Sequence, residues 1–368
     1  MHLTQLRLHN FRSYGQLALM PPPGLTVFVG ENGAGKTNLL EAIHLCCLGR
    51  SHRTTNDQDM IRTGSDTCAV HATVQRQGRM DEVGVRLYQQ QRQRKLIYVG
   101  GKVVHRVGEL MGHMTCVMFS PEDVEILKGG PQLRRRFLDM LLSQCLPAYF
   151  YSLQKYNAVL KQRNALLRAI ARESASADQL PVWEEQLSVA AQPLVRARKQ
   201  AVERLGELSK KHYAFISGRN QEELALSYVS QLSQHEDIKG SMMDRLRQSR
   251  QDDIRRQATS TGPHRDDIQC TLSGQEIRSY GSQGQIRTAV LSMRLSEIDI
   301  LSQAQGEPPL LLLDDVMSEL DPGRRLRLIA GLHHVQTLLT CADVQEVKNL
   351  NPSCILKVQD GQITQWGP

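Results

Sequence analysis

The chain has 368 residues, with 45 Lys and Arg against 38 Asp and Glu, a formal charge of +7 and 40% hydrophobic content; that is long enough for about two domains whose core needs no disulfide or metal. No stretch approaches the roughly 18 uninterrupted apolar residues of a membrane span, and Met1-His2-Leu3-Thr4-Gln5-Leu6-Arg7 lacks the basic segment and apolar run of a signal peptide. Membrane insertion and secretion are not expected, a cytoplasmic location is, and the eight cysteines, with no C-x-x-C pair or framework spacing, are expected to be reduced, mostly buried thiols rather than zinc ligands.

Residues 1 to about 120 carry strand signals around one long helix. Leu25-Thr-Val-Phe-Val29 is a β-branched run ending at Gly30, and Lys36 to Leu48 repeats apolar residues at helical spacing (Leu39, Leu40, Ile43, Leu45, Cys47). Strands are expected over Ala69–Val74 and Val83–Tyr88, and Gly100-Gly101 between Leu96–Val99 and Lys102–Val104 has hairpin spacing. From about 125 to 258 the pattern is helical, with a Ser- and Ala-rich break at Glu173–Gln179 before a helix over Trp183–Ile216. Strands return at Ile268–Leu272, Leu310–Leu313 and Leu338–Cys341 and in a closing hairpin around Asp360-Gly361, with a helix over Ile286–Leu301.

Charge divides along the same boundaries. Lys128 to Arg256 holds 22 Lys and Arg against 14 Asp and Glu, while the remainder holds 23 against 24. A basic middle segment fits either a polyanion-facing surface or solvated helix faces rich in Arg.

Gly30, Glu31, Asn32, Gly33, Ala34, Gly35, Lys36 and Thr37 match G-x-x-x-x-G-K-[ST] between an expected strand and an expected helix, the context that identifies a P-loop. The glycines let backbone N–H groups curl around phosphates, Lys36 reaches the β and γ oxygens, and Thr37 offers a hydroxyl to Mg²⁺. Such a loop needs a carboxylate at the end of a neighbouring buried strand. Leu310-Leu-Leu-Leu313-Asp314-Asp315 supplies two, Asp314 as the Mg²⁺ ligand and Asp315 one residue on, placed to orient or deprotonate water. Ser282-Gln283-Gly284-Gln285 opens a helix and reads either as an ordinary N-cap or as a second phosphate-binding helix end. Two such ends suit a two-fold dimer with shared sites, in which Ser282, Gly284 and Gln285 face the partner's nucleotide.

The order P-loop, S-x-G-Q helix, apolar strand with Asp-Asp, then Ser318-Glu319-Leu320-Asp321 resembles the ABC-type ATPase head. Asn10-Phe11-Arg12-Ser13-Tyr14, GENGAGKTNLLEAI (30–43), Phe119-Ser-Pro-Glu-Asp123, Arg134-Arg-Arg-Phe-Leu-Asp139, Lys161-Gln-Arg-Asn-Ala-Leu-Leu167, Gly262-Pro-His-Arg-Asp-Asp267, YGSQGQIRTAVL (280–291) and LLLLDDVMSELD (310–321) together resemble the RecF family, bacterial recombination mediators related to SMC heads. The resemblance implies an α/β P-loop NTPase of ABC/SMC-head type with an inserted, mainly helical second lobe. The head would comprise 1–124 and 259–368, and the basic lobe 125–258. It implies that ATP is bound with Mg²⁺ and hydrolysed, with Lys36 and Asp315 catalytic, Thr37 and Asp314 on the metal, and Asp321 as the D-loop acid of an ATP-dependent homodimer. It also implies binding of double-stranded and gapped DNA in recombinational repair, replication and the SOS response, RecR and RecO as partners, and the recombinase RecA indirectly, in a nucleoid-associated cytoplasmic protein. Arg134, Arg135, Arg136, Lys161, Arg163, Arg198, Lys199, Lys210 and Lys211 are the candidate phosphate contacts, few aromatics lying among them for base stacking.

Two positions depart from ABC heads: Cys341 stands where a switch histidine is common, and Asp315 where transport ATPases carry Glu, which predicts slow hydrolysis. Ser120–Asp123 reads as a helix start or a nucleotide-sensing loop, Arg12 as nucleotide-proximal or a surface residue, and His264–Asp267 as a lobe-joining or nucleotide-proximal loop. A transporter ATPase subunit, a long coiled-coil SMC head and a small-molecule kinase fit less well. The first would have a Leu-Ser-Gly-Gly-Gln signature, the second hundreds of heptad residues between the motifs, and the third would leave the S-x-G-Q helix and the basic insertion without a role.

Overall fold

The computed structural model describes residues 1–90, 94–219, 221–332 and 334–365. In chain order the elements begin with strands β1 (His2–Phe11), β2 (Tyr14–Leu19) and β3 (Leu25–Val29), helix α1 (Lys36–Leu48), then β4 (Thr67–Arg76), β5 (Arg79–Tyr88), β6 (Lys95–Val99), β7 (Lys102–Val104) and β8 (Cys116–Phe119). A helical stretch follows, α2 (Glu125–Lys128), α3 (Pro131–Cys145), α4 (Pro147–Ala171) and α5 (Leu180–Ser217), then β9 (Leu224–Val229), α6 (Ile238–Gln248) and α7 (Arg250–Arg256). The chain continues through β10 (Asp267–Leu272), β11 (Gln275–Glu276), α8 (Ile277–Tyr280), α9 (Gln283–Gln305), β12 (Leu310–Asp314), α10 (Pro322–Ala330), β13 (Thr337–Cys341), β14 (Cys354–Gln359) and β15 (Gln362–Gln365).

Two compact units emerge: Met1–Asp123 with Ala214–Arg219 and Arg294–Pro368, and Val124–Tyr213 with Asn220–Met293. The second reaches past the expected boundary at 258 because β10 pairs antiparallel with β9, a strand the helical pattern did not announce, and because the loop before β10 bonds to side chains of α3, α4 and α5. The S-x-G-Q helix α9 begins in this unit and ends in the first.

The first unit contains two sheets. One is antiparallel, in the order β2-β1-β4-β5-β6-β7; the other runs β15-β14-β3-β13-β12-β8, parallel except for β15. The parallel strands are mostly apolar, Leu310–Leu313 and Leu338–Leu339 being fully buried, as a sheet covered on both faces requires. Helix α1 packs against strands of both sheets and is buried nearly all round, including Glu41 and His44. The P-loop helix thus forms the core of its unit, which fixes the loop at its N-terminus.

In the second unit α3, α4, α5 and α6 bury Leu138, Tyr156, Leu187, Leu194, Val202 and Met242 in one cluster. The Ser- and Ala-rich break before α5 contains a short helical turn, Ala177–Gln179, started by the Ser176 hydroxyl. None of the eight cysteines is in a disulfide, and six of them are buried. Among the described residues, no helix is long and apolar enough to cross a membrane.

Candidate nucleotide site

The P-loop connects the end of β3 to the start of α1. Gly35 caps the helix at φ 109°, a conformation costly for a residue with a side chain; a Cβ there would also lie 2.7 Å from the Ser13 hydroxyl. Gly30 is required for a different reason, since a Cβ would sit 2.3 Å from the Val358 carbonyl. The buried Tyr14 hydroxyl donates to the Gly35 carbonyl at 3.1 Å. Lys36 Nζ donates to the carbonyls of Gly30 (2.6 Å) and Glu31 (2.9 Å), so its ammonium folds across the loop it closes. A cleft of about 740 Å³ opens beside the loop, lined by Gly30–Ala34, by residues 342–345 beyond β13 and by the β14–β15 turn.

Sheet order brings the second motif to the first. Strand β12 lies one strand away from β3, with β13 between them. Thr37 Oγ1 donates to Asp314 Oδ1 at 2.9 Å across 277 positions of sequence. Thr340, at the end of β13, donates to the same carboxylate oxygen at 2.7 Å and accepts from the Asp315 N–H at 3.0 Å. Burial raises the Asp314 carboxyl above the ordinary range, and the two hydroxyls oppose that shift. Asp315 is left-handed at φ 51°, and its Oδ1 is shut off from solvent with no hydrogen-bond partner among the described residues. Thr340 was not singled out in the sequence; the available signal was a hydroxyl at the end of a mostly apolar strand, level with Asp314, the Walker B acid.

Cys341 pairs with Val29 in register and its thiol is pushed up to about 12 by burial. Asp321 caps α10, accepting from the Arg324 N–H at 3.0 Å, and remains exposed. Arg12 is no loose surface residue. At φ 51° its guanidinium makes a bidentate pair with the buried Glu41 (2.9 and 2.7 Å) and donates to the Asp59 carbonyl at 2.6 Å, linking the segment after β1 to the P-loop helix. Ser120–Asp123 is the helix start that its sequence suggested, and Asp123 also forms a bidentate pair with the buried Arg294 (3.0 and 2.6 Å).

In the second unit Ser282 and Gln285 form a reciprocal capping box, the Ser282 N–H donating to Gln285 Oε1 (2.9 Å) and the Gln285 N–H to Ser282 Oγ (3.2 Å). Gln285 Nε2 also donates to Glu222 at 3.2 Å, while the Ser282 side chain remains exposed; Gly284 lies in the first turn of α9. Three of the nine DNA candidates are corrected by burial. Arg134 is held by Asp267 (2.7 and 2.9 Å), Arg163 by Asp253 (2.7 Å) and Glu184 (3.2 Å), and Arg198 by Asp139 (2.7 Å), so their charges are spent inside the unit. Arg135 and Lys199 are half-buried and donate to the carbonyls of Asp266 and Ser233. Arg136, Lys161 and Lys211 are exposed, as is Lys210, which pairs with the equally exposed Glu223. The His264–Asp267 loop binds helices of its own unit: His264 Nδ1 accepts from the Tyr156 hydroxyl (2.6 Å), and burial lowers the imidazole to about 4. Among the described residues, no group of three or more His, Cys, Asp or Glu is arranged to hold a metal ion by itself.

The family model of the RecF/RecN/SMC N-terminal domain matches residues 2–364, and the chain belongs to that family. It is 40% identical over 354 residues to the DNA replication and repair protein RecF of Symbiobacterium thermophilum, covering 94% of this chain and 93% of the relative. Against the RecF of Clostridium perfringens the identity is 36% over 367 residues, 99% of each. A solved structure of the recombination mediator protein RecF-ATP in the RecFOR pathway matches with a TM-score of 0.92 at 32% identity, covering 100% of this chain and 98% of that one. The Smc head of Pyrococcus yayanosii, 14% identical, shares the fold at a TM-score of 0.60 over 100% of this chain and 97% of that one. The fold is therefore the α/β ABC-type ATPase fold of RecF and SMC heads.

Proposed function

We propose that this chain is an ATP-dependent DNA-binding mediator of recombinational repair: ATP closes two copies around duplex DNA near single-strand gaps, and slow hydrolysis releases them. The observation that carries the reading is the hydrogen bond from Thr37 to Asp314, which places a P-loop hydroxyl and a Walker B carboxylate at one point. Hard oxygen donors of that kind suit Mg²⁺. When bound, the ion neutralises charge on the β- and γ-phosphates. Lys36 leaves its two carbonyls to bind the phosphate oxygens, and the N–H groups at the start of α1 face the anion. Asp315 accepts the proton of the attacking water. Its short side chain reaches less far than Glu, which supports slow turnover suited to a timed clamp.

The first unit, Met1–Asp123 with Ala214–Arg219 and Arg294–Pro368, acts as the ATPase head, and the second carries exposed Arg136, Lys161, Lys210 and Lys211 to the phosphate backbone. The exposed Ser282, with Gly284 and Gln285, completes the partner copy's site, and Asp321 lies at that dimer interface. RecF relatives named for the RecFOR pathway support RecR and RecO as partners, with RecA loaded downstream, in the cytoplasm. The test is binding to a fluorescent gapped duplex with and without ATP at two salt concentrations. Salt-sensitive binding that needs ATP is expected. Ser282→Arg should bind ATP yet lose the nucleotide-dependent dimer; normal dimerisation by that variant, or no DNA binding under any condition, refutes the reading.

A further inference from the structure

Strand β13 lies between the P-loop strand β3 and the Walker B strand β12, so the segment following it emerges between the two motifs. That segment forms a short 3₁₀ turn, Val344–Glu346, capped by Asp343, whose side chain accepts from the Gln345 N–H at 2.9 Å, and anchored by the fully buried Val347. The turn fixes Glu346. Its Oε2 is closed off from solvent and has no hydrogen-bond partner among the described residues, as is true of Asp315 Oδ1. Asp315 and Lys36 both bear electrostatically on the Glu346 carboxyl, together with Asp343 and Arg325.

Two closed-off carboxylate oxygens without donors, on the segments that leave the same ends of the paired parallel strands β12 and β13, are costly unless an occupant supplies the donors. An attacking water has two O–H groups and needs an acceptor for each if its lone pair is to point at phosphorus. Cys341 at the end of β13 cannot supply the second acceptor, because burial keeps its thiol protonated, and the Asp343 carboxylate is engaged in capping the turn. We propose that Glu346 is a water-orienting residue of ATP hydrolysis, sharing the attacking water with Asp315 and taking over the task of the missing switch histidine. This rests on the ATPase reading above. The water oxygen bonds to the γ-phosphorus, and the bond from that phosphorus to the bridging oxygen breaks. ADP leaves with the electron pair, one water proton passes to Asp315, and the other, aimed at Glu346, stays on the released phosphate.

The test measures turnover of the full chain with ATP, magnesium and gapped duplex for Glu346→Ala, Glu346→Gln, Asp315→Asn and Lys36→Ala. Glu346→Ala should lose about tenfold to a hundredfold in kcat with KM for ATP unchanged, and Glu346→Gln, whose amide oxygen still accepts, should recover part of the loss. Binding of ADP with aluminium fluoride should weaken by the same factor while ATPγS binding stays constant, a split that a purely structural role would not produce. Wild-type kcat in Glu346→Ala alongside a dead Asp315→Asn overturns the proposal and leaves the ATPase reading intact. A rise in KM matching the loss of kcat overturns it too. If Glu346→Ala does not fold, Glu346→Gln decides: reduced kcat at constant KM supports the role and wild-type kcat refutes it. A wild-type chain no faster than Lys36→Ala removes the ATPase reading itself, and this role with it.

Discussion

Arg163 and Lys161 lie two residues apart on α4 and should behave in opposite ways. Arg163 is fully buried, donating to Asp253 (2.7 Å), Thr259 (2.8 Å) and Glu184 (3.2 Å). In Arg163→Met, Glu184 keeps its bidentate pair with Arg250, and Asp253 keeps the Ser249 hydroxyl (3.2 Å) and the Ser260 N–H (3.0 Å). One carboxylate is thus left buried without a countercharge but not without donors, which points to the lower end of the range for a broken buried pair, about 3 kcal/mol. With a slope near 2 kcal/mol per molar urea, the midpoint should fall by about 1.5 M. Trp183, packed against the core of the second unit, reports the transition in a Trp366→Phe background. Lys161→Ala, which removes an exposed side chain, should leave the midpoint unchanged but lower the slope of log K for DNA against log salt by about 0.9. An Arg163→Met protein of unchanged midpoint and reduced salt slope would refute the reasoning, because it would mean that the arginine faces phosphate rather than Asp253.

Thr340→Val removes one donor from Asp314 and the acceptor of the Asp315 N–H; nucleotide affinity measured with a fluorescent ATP analogue should fall about tenfold, and unchanged affinity would show that Thr37 alone positions the acid. Glu41→Gln leaves the guanidinium of Arg12 without its carboxylate and should cost about 2 kcal/mol in thermal or urea unfolding. Interactions with Arg12 and Ser51 hold the Glu41 carboxyl below the usual glutamate range despite burial, so the stability it provides is present above that range and lost as pH falls through the lowered native value, a trend that Glu41→Gln should flatten. His264 titrates near 4 in the fold against an ordinary value of 6.5, so unfolding takes up a proton between those values: its stabilisation is complete above about pH 6.5 and declines towards pH 4. Urea midpoints of His264→Gln should show a shallower decline across that window than the parent chain.

Much of the nucleotide site was legible because its chemistry is written contiguously. The P-loop and its flanking elements follow from spacing alone, and β3 and α1 run over Leu25–Val29 and Lys36–Leu48 as expected. Thr340 and Glu346 were not legible, because their roles depend on β13 lying between β3 and β12, an order that no local pattern encodes. Strand β9 was hidden by the helices around it, its alternation Leu224–Val229 being half exposed and only six residues long. The basic segment misled in a specific way. Net charge counts Arg134, Arg163 and Arg198 like any other cation, yet each has a carboxylate partner far along the chain, Asp267, Asp253 with Glu184, and Asp139, which only the fold brings together.

The strand order of the parallel sheet explains why a chain with a cysteine at the switch position can still be built for phosphate chemistry. Cys341 pairs with Val29, and its carbonyl accepts from the Gly30 N–H at 3.4 Å, so its backbone supports the base of the P-loop whatever its side chain. One residue earlier, Thr340 pairs with Asp314 on one side and Phe28 on the other, which brings a single hydroxyl to the Walker B carboxylate and to the N–H of the acid after it. Five residues later, a capped turn brings Glu346 under the influence of Lys36 and Asp315. Position in the sheet assigns these tasks, and residue type then decides how well each is done. A histidine at 341 would need an open path to the nucleotide, whereas the site here is buried and its thiol neutral. Polar chemistry at this edge of the sheet therefore falls to Thr340, which holds Asp314, and, on the proposal above, to Glu346.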